Sequence, residues 1–203
     1  EPTRGDVVKA LYEDPTDPDV LWVGTIYGLY KLRNGDVQTH YTTGDGLPAN
    51  RVQYIHRSAH TGALWLSTRQ GLARYHNGTF TAFTPETGFP SRSPRAIYED
   101  AQGHLWIGTY GDGLIHYANG TFTTLTEADG LFDNVVSAIV PDGQGRLWMT
   151  GNRGIARVRL DDLHAVAQGT RPRVNAVGYG EAAGLLNPET SGGFQPAAQV
   201  DAQ

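Results

Sequence analysis

Short apolar runs alternate with turns rich in glycine and asparagine, and the whole pattern returns at a nearly constant interval. Its clearest marker is a Leu-Trp pair, whose tryptophans are Trp22, Trp65, Trp106 and Trp148, at spacings of 43, 41 and 42 residues. A repeat of about 40–45 residues indicates a β-propeller or a solenoid. The hydrophobic pattern therefore predicts one continuous array of similar units.

Each repeat predicts four short strands. In the third repeat these are expected at 96–99, 105–109, 114–117 and 121–125. The last two are joined by Asn119-Gly120, and such an Asn-Gly pair favours a type I′ hairpin because both of its residues need positive φ. Four antiparallel strands make one propeller blade, in which the tryptophan is expected to pack against the neighbouring blade.

The turn before each Leu-Trp carries a short polar side chain, at Asp14, Ser58, Asp100 and Asp142. Such side chains bond nearby backbone amides, so we expect them to stabilise the turn. The fourth repeat departs from the pattern after its third strand. There, residues 161–169 predict a short helix with Asp at its start and Gly at its end, which delays the closing Gly-Leu by 12 residues.

The repeat sets the expected domain organisation, a partial all-β propeller that occupies residues 1–203. The blades are expected at 7–47, 48–89, 90–131 and 132–185, and residues 186–203 are expected to begin a further blade, because 201–203 repeat the Asp-Ala-Gln of 100–102. About four blades plus one strand predict part of a larger propeller. Unpaired first and last edges predict marginal stability or self-association, so a homodimer is among the expected partners.

The composition of the chain argues against several classes of partner and of site. The net charge of −5 argues against nucleic-acid binding. The absence of cysteine excludes disulfides, thiolate zinc sites and cysteine nucleophiles. No apolar run is long enough to cross a bilayer, so we expect no direct membrane insertion by this segment.

The residue pattern predicts neither a catalytic group nor a metal or other cofactor. A glycosidase needs two carboxylates facing one another, whereas most acids here recur at equivalent turn positions. The histidines are scattered, without the spacing of metal ligands, and most are expected to be half exposed. They are His40, His56, His60, His76, His104, His116 and His164.

Ligand-binding candidates come from the loops that a propeller gathers on one face, where ligands usually bind. Aromatic, amide and arginine side chains suit sugars or anionic groups. The candidates are Lys9, Tyr27, Asn50, Gln53, Arg69, Arg92, Arg95, Tyr110, Asn134, Asn152 and Arg153. Other polar residues expected at the same face are Asp6, Gln70, Asp112, Asp133 and Ser137.

The repeat has a characteristic order of short motifs: an Asp turn, Gly-x-Leu-Trp-Ile-Gly-Thr, Gly-Leu, Tyr, Gly-x-Phe and a closing Gly-Leu. This order resembles the two-component regulator propeller repeat. Residues 11–30 and 97–122 carry it closely, and 64–68 and 147–150 more loosely. The resemblance implies the periplasmic sensor region of a bacterial membrane signalling protein. Its expected partners are a small molecule or oligosaccharide and an output domain outside this segment. No ligand-binding motif of the family can be placed on these residues.

Two alternatives stay open beside the non-enzymatic sensor. Propellers also serve as carbohydrate-active enzymes, either lyases or glycosidases, and as scaffolds that bind other proteins. Clustered histidines and acids would favour an enzyme, and a flanking membrane helix with a kinase or cyclase would favour the sensor.

Overall fold

The structure, a computed structural model, describes residues 5–190 and 192–198, so the expected repeat at 201–203 lies outside it. Within these residues, sixteen strands form four antiparallel sheets of four strands each, ordered as in the chain. The described residues divide into two compact units. The first comprises residues 5–94 and 193–196, and the second comprises 95–190, 192 and 197–198.

The first unit contains two sheets. Its first sheet consists of β1 (Val8–Glu13), β2 (Val20–Thr25), β3 (Leu29–Arg33) and β4 (Asp36–Tyr41). Its second sheet consists of β5 (Val52–Arg57), β6 (Leu64–Thr68), β7 (Gly71–His76) and β8 (Thr79–Phe83). The strand β1 packs directly on β5 of the neighbouring sheet.

The second unit contains the other two sheets and a helix. The third sheet consists of β9 (Pro94–Glu99), β10 (Leu105–Thr109), β11 (Leu114–Ala118) and β12 (Thr121–Leu125). The fourth consists of β13 (Ala138–Pro141), β14 (Arg146–Gly151), β15 (Gly154–Arg159) and β16 (Val177–Tyr179). The helix α1 (Leu160–Ala167) interrupts this last sheet between β15 and β16, and it packs against β12 and β15.

The hairpin turns form as the sequence predicts. Asn34, Asn77 and Asn119 have φ of 51°, 49° and 51°, and the glycine after each also has positive φ. These are the angles that a type I′ turn requires at both central residues. The repeated Asn-Gly pairs therefore set the register between the third and fourth strands of three sheets.

The helix begins one residue earlier than predicted, and its first turn differs from the prediction. Arg159 is the N-terminal capping residue and makes no side-chain capping bond, whereas Asp161 and Asp162 lie inside the first turn. Carboxylates in the first turn stabilise the helix by interacting with the positive end of its dipole, and they do so without acting as caps. Gly169 follows the helix with φ of 72°, as a terminating glycine should.

All four tryptophans lie on the second strand of a sheet, which confirms the predicted register of the repeat. Trp22, Trp65 and Trp106 are buried, and Trp148 is half buried. Burying a tryptophan removes a large apolar area from water, so these side chains dominate the core of each sheet. Among the described residues, no helix has the length and apolar character needed to cross a membrane.

Candidate functional site

A polar hollow in the second unit gathers several of the residues singled out by the sequence. Its volume is about 160 Å³. The residues that line it are Arg95, Tyr110, Ser137, Asn152, Glu189, Thr190 and Gly192. Three of these, Arg95, Tyr110 and Asn152, are predicted ligand-binding residues.

Different elements position these side chains. Arg95 lies on β9, Tyr110 follows β10 and bridges to Val135, and Asn152 lies in the turn between β14 and β15. Thr190 is anchored to that turn, because its backbone N–H and its Oγ1 donate to the carbonyl of Gly151 at 3.2 and 2.9 Å. The hollow is thus closed by a segment that returns after the fourth sheet.

One side of this hollow is a cation–π pair. The Arg95 guanidinium carbon lies 4.9 Å from the centre of the Tyr110 ring, and Tyr110 is 53% exposed. A guanidinium held over an aromatic ring is oriented by it and carries its N–H donors around its edge. The pair offers an apolar surface beside a cationic donor.

A wider hollow of about 480 Å³ shares Asn152 with the first. It is lined by Phe132, Asn152, Arg153, Gly178, Gly180, Glu181, Ala182, Ala183 and Pro188. Arg153 is held in place here, since its Nη1 donates to the Phe132 carbonyl at 2.9 Å and to Glu127 Oε2 at 3.2 Å. Its guanidinium also lies 5.0 Å from the Phe132 ring centre.

Two predicted residues hold loops together. Asn50 Oδ1 accepts from the Thr43 amide at 2.8 Å, and Asn134 Oδ1 accepts from the Glu127 amide at 2.9 Å. Both contacts span seven residues and tie the closing turn to the loop that follows it. These amide side chains therefore shape the loops.

The remaining candidates lie in the first unit, and none of them lines the hollow of about 370 Å³ described there. Tyr27 and Arg69 are exposed, Gln53 is buried, and Arg92 forms an ion pair with Glu86. The carbonyl of Lys9 accepts a hydrogen bond from the Gln195 amide at 2.7 Å.

Sequence reasoning missed Glu189, Thr190 and Gly192 in the polar hollow. They follow the last Gly-Leu step, where the sequence predicts the start of a further blade. Nothing in their spacing placed them near Asn152.

The aspartates before the Leu-Trp pairs stabilise turns, as the sequence predicts. Asp100 Oδ1 accepts from the amides of Gln102 at 2.9 Å and His104 at 3.1 Å, and its Oδ2 accepts from Trp106 Nε1 at 2.9 Å. Asp142 Oδ1 accepts from two amides of its own turn in the same way. The carboxylates at this position are thus held by structural hydrogen bonds.

Three of the seven histidines meet in the second unit, so the expectation that all seven are scattered is wrong. One ring nitrogen from each of His104, His116 and His164 lies within 4.8 Å of the others. His116 and His164 are buried, contrary to the expected half exposure. Burial, together with the neighbouring His104 and His164, lowers the pKa of His116 to about 4, although Asp100 opposes this shift.

Comparison with known proteins identifies the repeat. Residues 88–111 and 130–153 match the family described as "two component regulator propeller". These two stretches of the chain are similar to two component regulator propeller repeats. The two matched stretches supply Arg92, Arg95 and Tyr110 from one repeat and Asn134, Asn152 and Arg153 from the next. Four of the residues that line the polar hollow, Arg95, Tyr110, Ser137 and Asn152, thus lie in the two matched stretches.

Solved structures with similar folds include other propeller proteins. The extracellular domain of BT4673 from B. thetaiotaomicron, described both as a one component and as a hybrid two component system, has a TM-score of 0.64 at 22% identity. The match covers 77% of this chain and 24% of that structure. The chain therefore spans about a quarter of the first structures that it matches.

Two further matches serve other roles. PorZ, a surface component of the type-IX secretion system of Porphyromonas gingivalis, has a TM-score of 0.63 at 18% identity, over 84% of this chain and 26% of that one. A streptogramin B lyase has a TM-score of 0.56 at 18% identity, over 75% of this chain and 51% of that one. No curated protein sequence matches significantly. The chain thus has the fold of part of a β-propeller.

Proposed function

We propose that this chain is the ligand-sensing part of a bacterial signal-transduction protein, that it lies in the periplasm, and that the polar hollow binds a sugar. The family and the likeness to an extracellular domain of a two component system support the sensor role. The observation that carries the ligand site is the meeting of Arg95, Tyr110 and Asn152 in one hollow.

The donors and acceptors of the hollow fit a polyhydroxylated ligand. Arg95 only donates, Glu189 only accepts when ionised, and Asn152 does both. The exposed ring of Tyr110 supplies a flat apolar surface beside them. A sugar presents alternating hydroxyl groups and C–H faces, and this mixture of groups complements it.

Sensing fits the hollow better than hydrolysis does. A glycosidase uses two carboxylates at a set separation across the scissile bond. Among the residues that line the polar hollow, Glu189 supplies one carboxylate. This single carboxylate supports the proposal of binding over glycoside hydrolysis.

A panel of neutral and acidic oligosaccharides screened against the 203-residue chain tests this proposal. We expect at least one sugar to raise the unfolding temperature, because a ligand that binds only the folded state stabilises it. Arg95→Ala and Asn152→Ala should each weaken calorimetric binding of that sugar about ten- to hundredfold, equivalent to about 1.5–3 kcal/mol.

Arg92→Ala is the matched control, because Arg92 pairs with Glu86 and does not line the hollow. It should bind like the unmodified chain. Equal binding by all three variants would overturn the assignment of the site. If no oligosaccharide in the panel binds, the proposal that the ligand is a sugar is wrong. Turnover of a sugar would replace the sensor with an enzyme, and binding of a protein alone would replace it with a scaffold.

A further inference from the structure

Three histidines from three different elements converge beside Trp106. His104 lies in the turn before β10, His116 lies on β11, and His164 lies on α1. Their ring centres are 5.0 to 5.6 Å apart, and each pair meets edge to face. The positions equivalent to His104 and His116 in the other three sheets hold no histidine.

The position opposite the tryptophan is occupied by a long cationic side chain in the other three sheets. Lys31, Arg74 and Arg157 pair with the tryptophan of their own sheet, with the cation 5.4 to 6.0 Å from the ring centre. In the third sheet the same position is His116, whose ring lies 4.3 Å from that of Trp106. An imidazole has replaced the cation at one place in the array.

Two more departures from the repeat occur at the same place. The residue two positions before the tryptophan is Val20, Ala63 and Arg146 in the other sheets, and in the third it is His104. His164 comes from α1, which none of the first three sheets contains between its third and fourth strands. All three unusual positions bring an imidazole to one point.

The rings leave several nitrogens unpartnered within the described residues. Nδ1 of His104, Nε2 of His116 and both nitrogens of His164 are buried without a hydrogen-bond partner. His116 and His164 are more than nine-tenths buried. A buried donor or acceptor without a partner is unfavourable by about 1–3 kcal/mol. A bound cation would satisfy one nitrogen of each ring, which is three of these four.

Asp100 provides the outer contact that histidine ligands normally have. Its Oδ2 lies 3.0 Å from Nε2 of His164, at an angle that departs from hydrogen-bond geometry. Metal-binding histidines usually present their second nitrogen to a carboxylate or carbonyl, which fixes the ring. Asp100 is itself fixed by two amides and by Trp106, so it is a firm anchor for His164.

We propose that His104, His116 and His164 form a binding site for a divalent transition-metal ion, with Zn²⁺ as the natural occupant. Imidazole nitrogen is a preferred ligand of Zn²⁺, and three histidines leave a fourth position for water or a ligand. A Zn–N distance of about 2.0–2.1 Å brings ligand nitrogens to about 3.3 Å from one another. The nitrogens now lie within 4.8 Å of one another, so metal binding requires the rings to rotate about χ2, a torsion with a broad energy profile.

Metal titration of the full chain tests the site. After treatment with a chelator and its removal, we expect Zn²⁺ to bind at one equivalent by calorimetry and to raise the unfolding temperature. Co²⁺ should give the visible absorption of a tetrahedral site. The absence of measurable Zn²⁺ binding, or a Co²⁺ spectrum identical to that of the octahedral ion in water, would overturn the proposal. The three histidines would then be a neutral aromatic cluster.

Variants that copy residues of the other repeats separate metal binding from folding. His116→Arg restores the cation found in the second and fourth sheets, and His104→Arg restores the residue of the fourth. Both should keep the four-stranded sheet and lose Zn²⁺ binding by at least about tenfold. His76→Ala is the control, since His76 is exposed at the end of β7. Loss of binding in this control, or full binding by His116→Arg, would refute the assignment.

Discussion

Arg57 Nη1 donates to Asp14 Oδ2 at 2.7 Å, and this contact joins the second sheet to the turn of the first. Asp14 is buried and also accepts from Thr16 and, at 3.4 Å, from Trp22 Nε1. In the fourth repeat the position of Arg57 is taken by Pro141, which offers no donor. There His164 of the inserted helix approaches the equivalent carboxylate, Asp100.

Breaking this contact should destabilise the chain more than breaking an exposed ion pair. We expect Arg57→Ala to lower the free energy of unfolding by about 1–3 kcal/mol, because it leaves a buried carboxylate with one donor fewer. Arg33→Ala is the control, since its pair with Asp17 is largely exposed, and it should change stability by about 0–1 kcal/mol. Urea unfolding of both variants measures the difference, and equal losses would contradict the structural role of Arg57.

Asp14 should also contribute to acid sensitivity. Burial raises the pKa of Asp14, but the hydrogen bonds from Thr16 and Trp22 and the charge of Arg57 outweigh it, so the pKa lies below its usual value. A lowered folded-state pKa stabilises the protein above the unfolded value of about 3.9 and loses this effect as the pH falls through the folded value.

Asp14→Asn should therefore weaken the dependence of stability on pH below about 4. Unfolding free energies measured between pH 3 and 7 test this, with Asp36→Asn, an exposed residue of β4, as the control. An unchanged pH dependence in Asp14→Asn would refute the prediction.

Much of this architecture could be predicted from the sequence because it is repeated. The tryptophans, the Asn-Gly hairpins and the turn aspartates each recur at fixed intervals, so a single repeat explains the others. The polar hollow could be predicted only in part. Arg95, Tyr110 and Asn152 stand at repeated positions, whereas Glu189 and Thr190 follow the last Gly-Leu step, which α1 displaces from the regular spacing.

The histidine cluster escaped prediction for a related reason. Its members are 12 and 48 residues apart along the chain and meet only because α1 packs against the third sheet. Ligand spacing within one helix or turn is readable from sequence, whereas spacing across elements depends on tertiary packing. A comparison of equivalent positions among the repeats could have indicated the cluster, because His104 and His116 both differ from the residues at those positions in the other three repeats.

Tryptophan burial predicts a graded response to truncation. Trp106→Ala should lower the free energy of unfolding by about 3–5 kcal/mol, because this side chain is fully buried. Trp148 is half buried, so Trp148→Ala should lower it clearly less. Denaturant unfolding compares them, and equal losses would show that burial does not set the contribution of these residues.

Glycine substitutions on either side of Asp112 separate backbone strain from steric conflict. A Cβ at Gly113 would lie 2.1 Å from the carbonyl oxygen of Leu125, whereas at Gly111 it would meet nothing within 4 Å. Both glycines have positive φ, so both alanine variants carry a backbone penalty of about 1–2 kcal/mol.

Gly113→Ala should therefore unfold at clearly lower denaturant concentration than Gly111→Ala. Gly111→Ala is the control, because its φ is also positive and its added Cβ would meet nothing within 4 Å. Similar denaturation midpoints for the two variants would mean that the backbone at Leu125 of β12 shifts to make room for the added Cβ, contrary to the packing described.

The helix between β15 and β16 shows how an array of interchangeable units acquires an individual member. It enters the fourth sheet before its last strand, so β13, β14 and β15 keep their pairing while the inserted segment is free to vary in length. A change in the length of this segment would therefore leave the hydrogen bonds among these three strands in place. A side chain supplied by this segment, as His164 is, gives the third and fourth sheets a chemical group that the first and second sheets do not receive from an inserted helix.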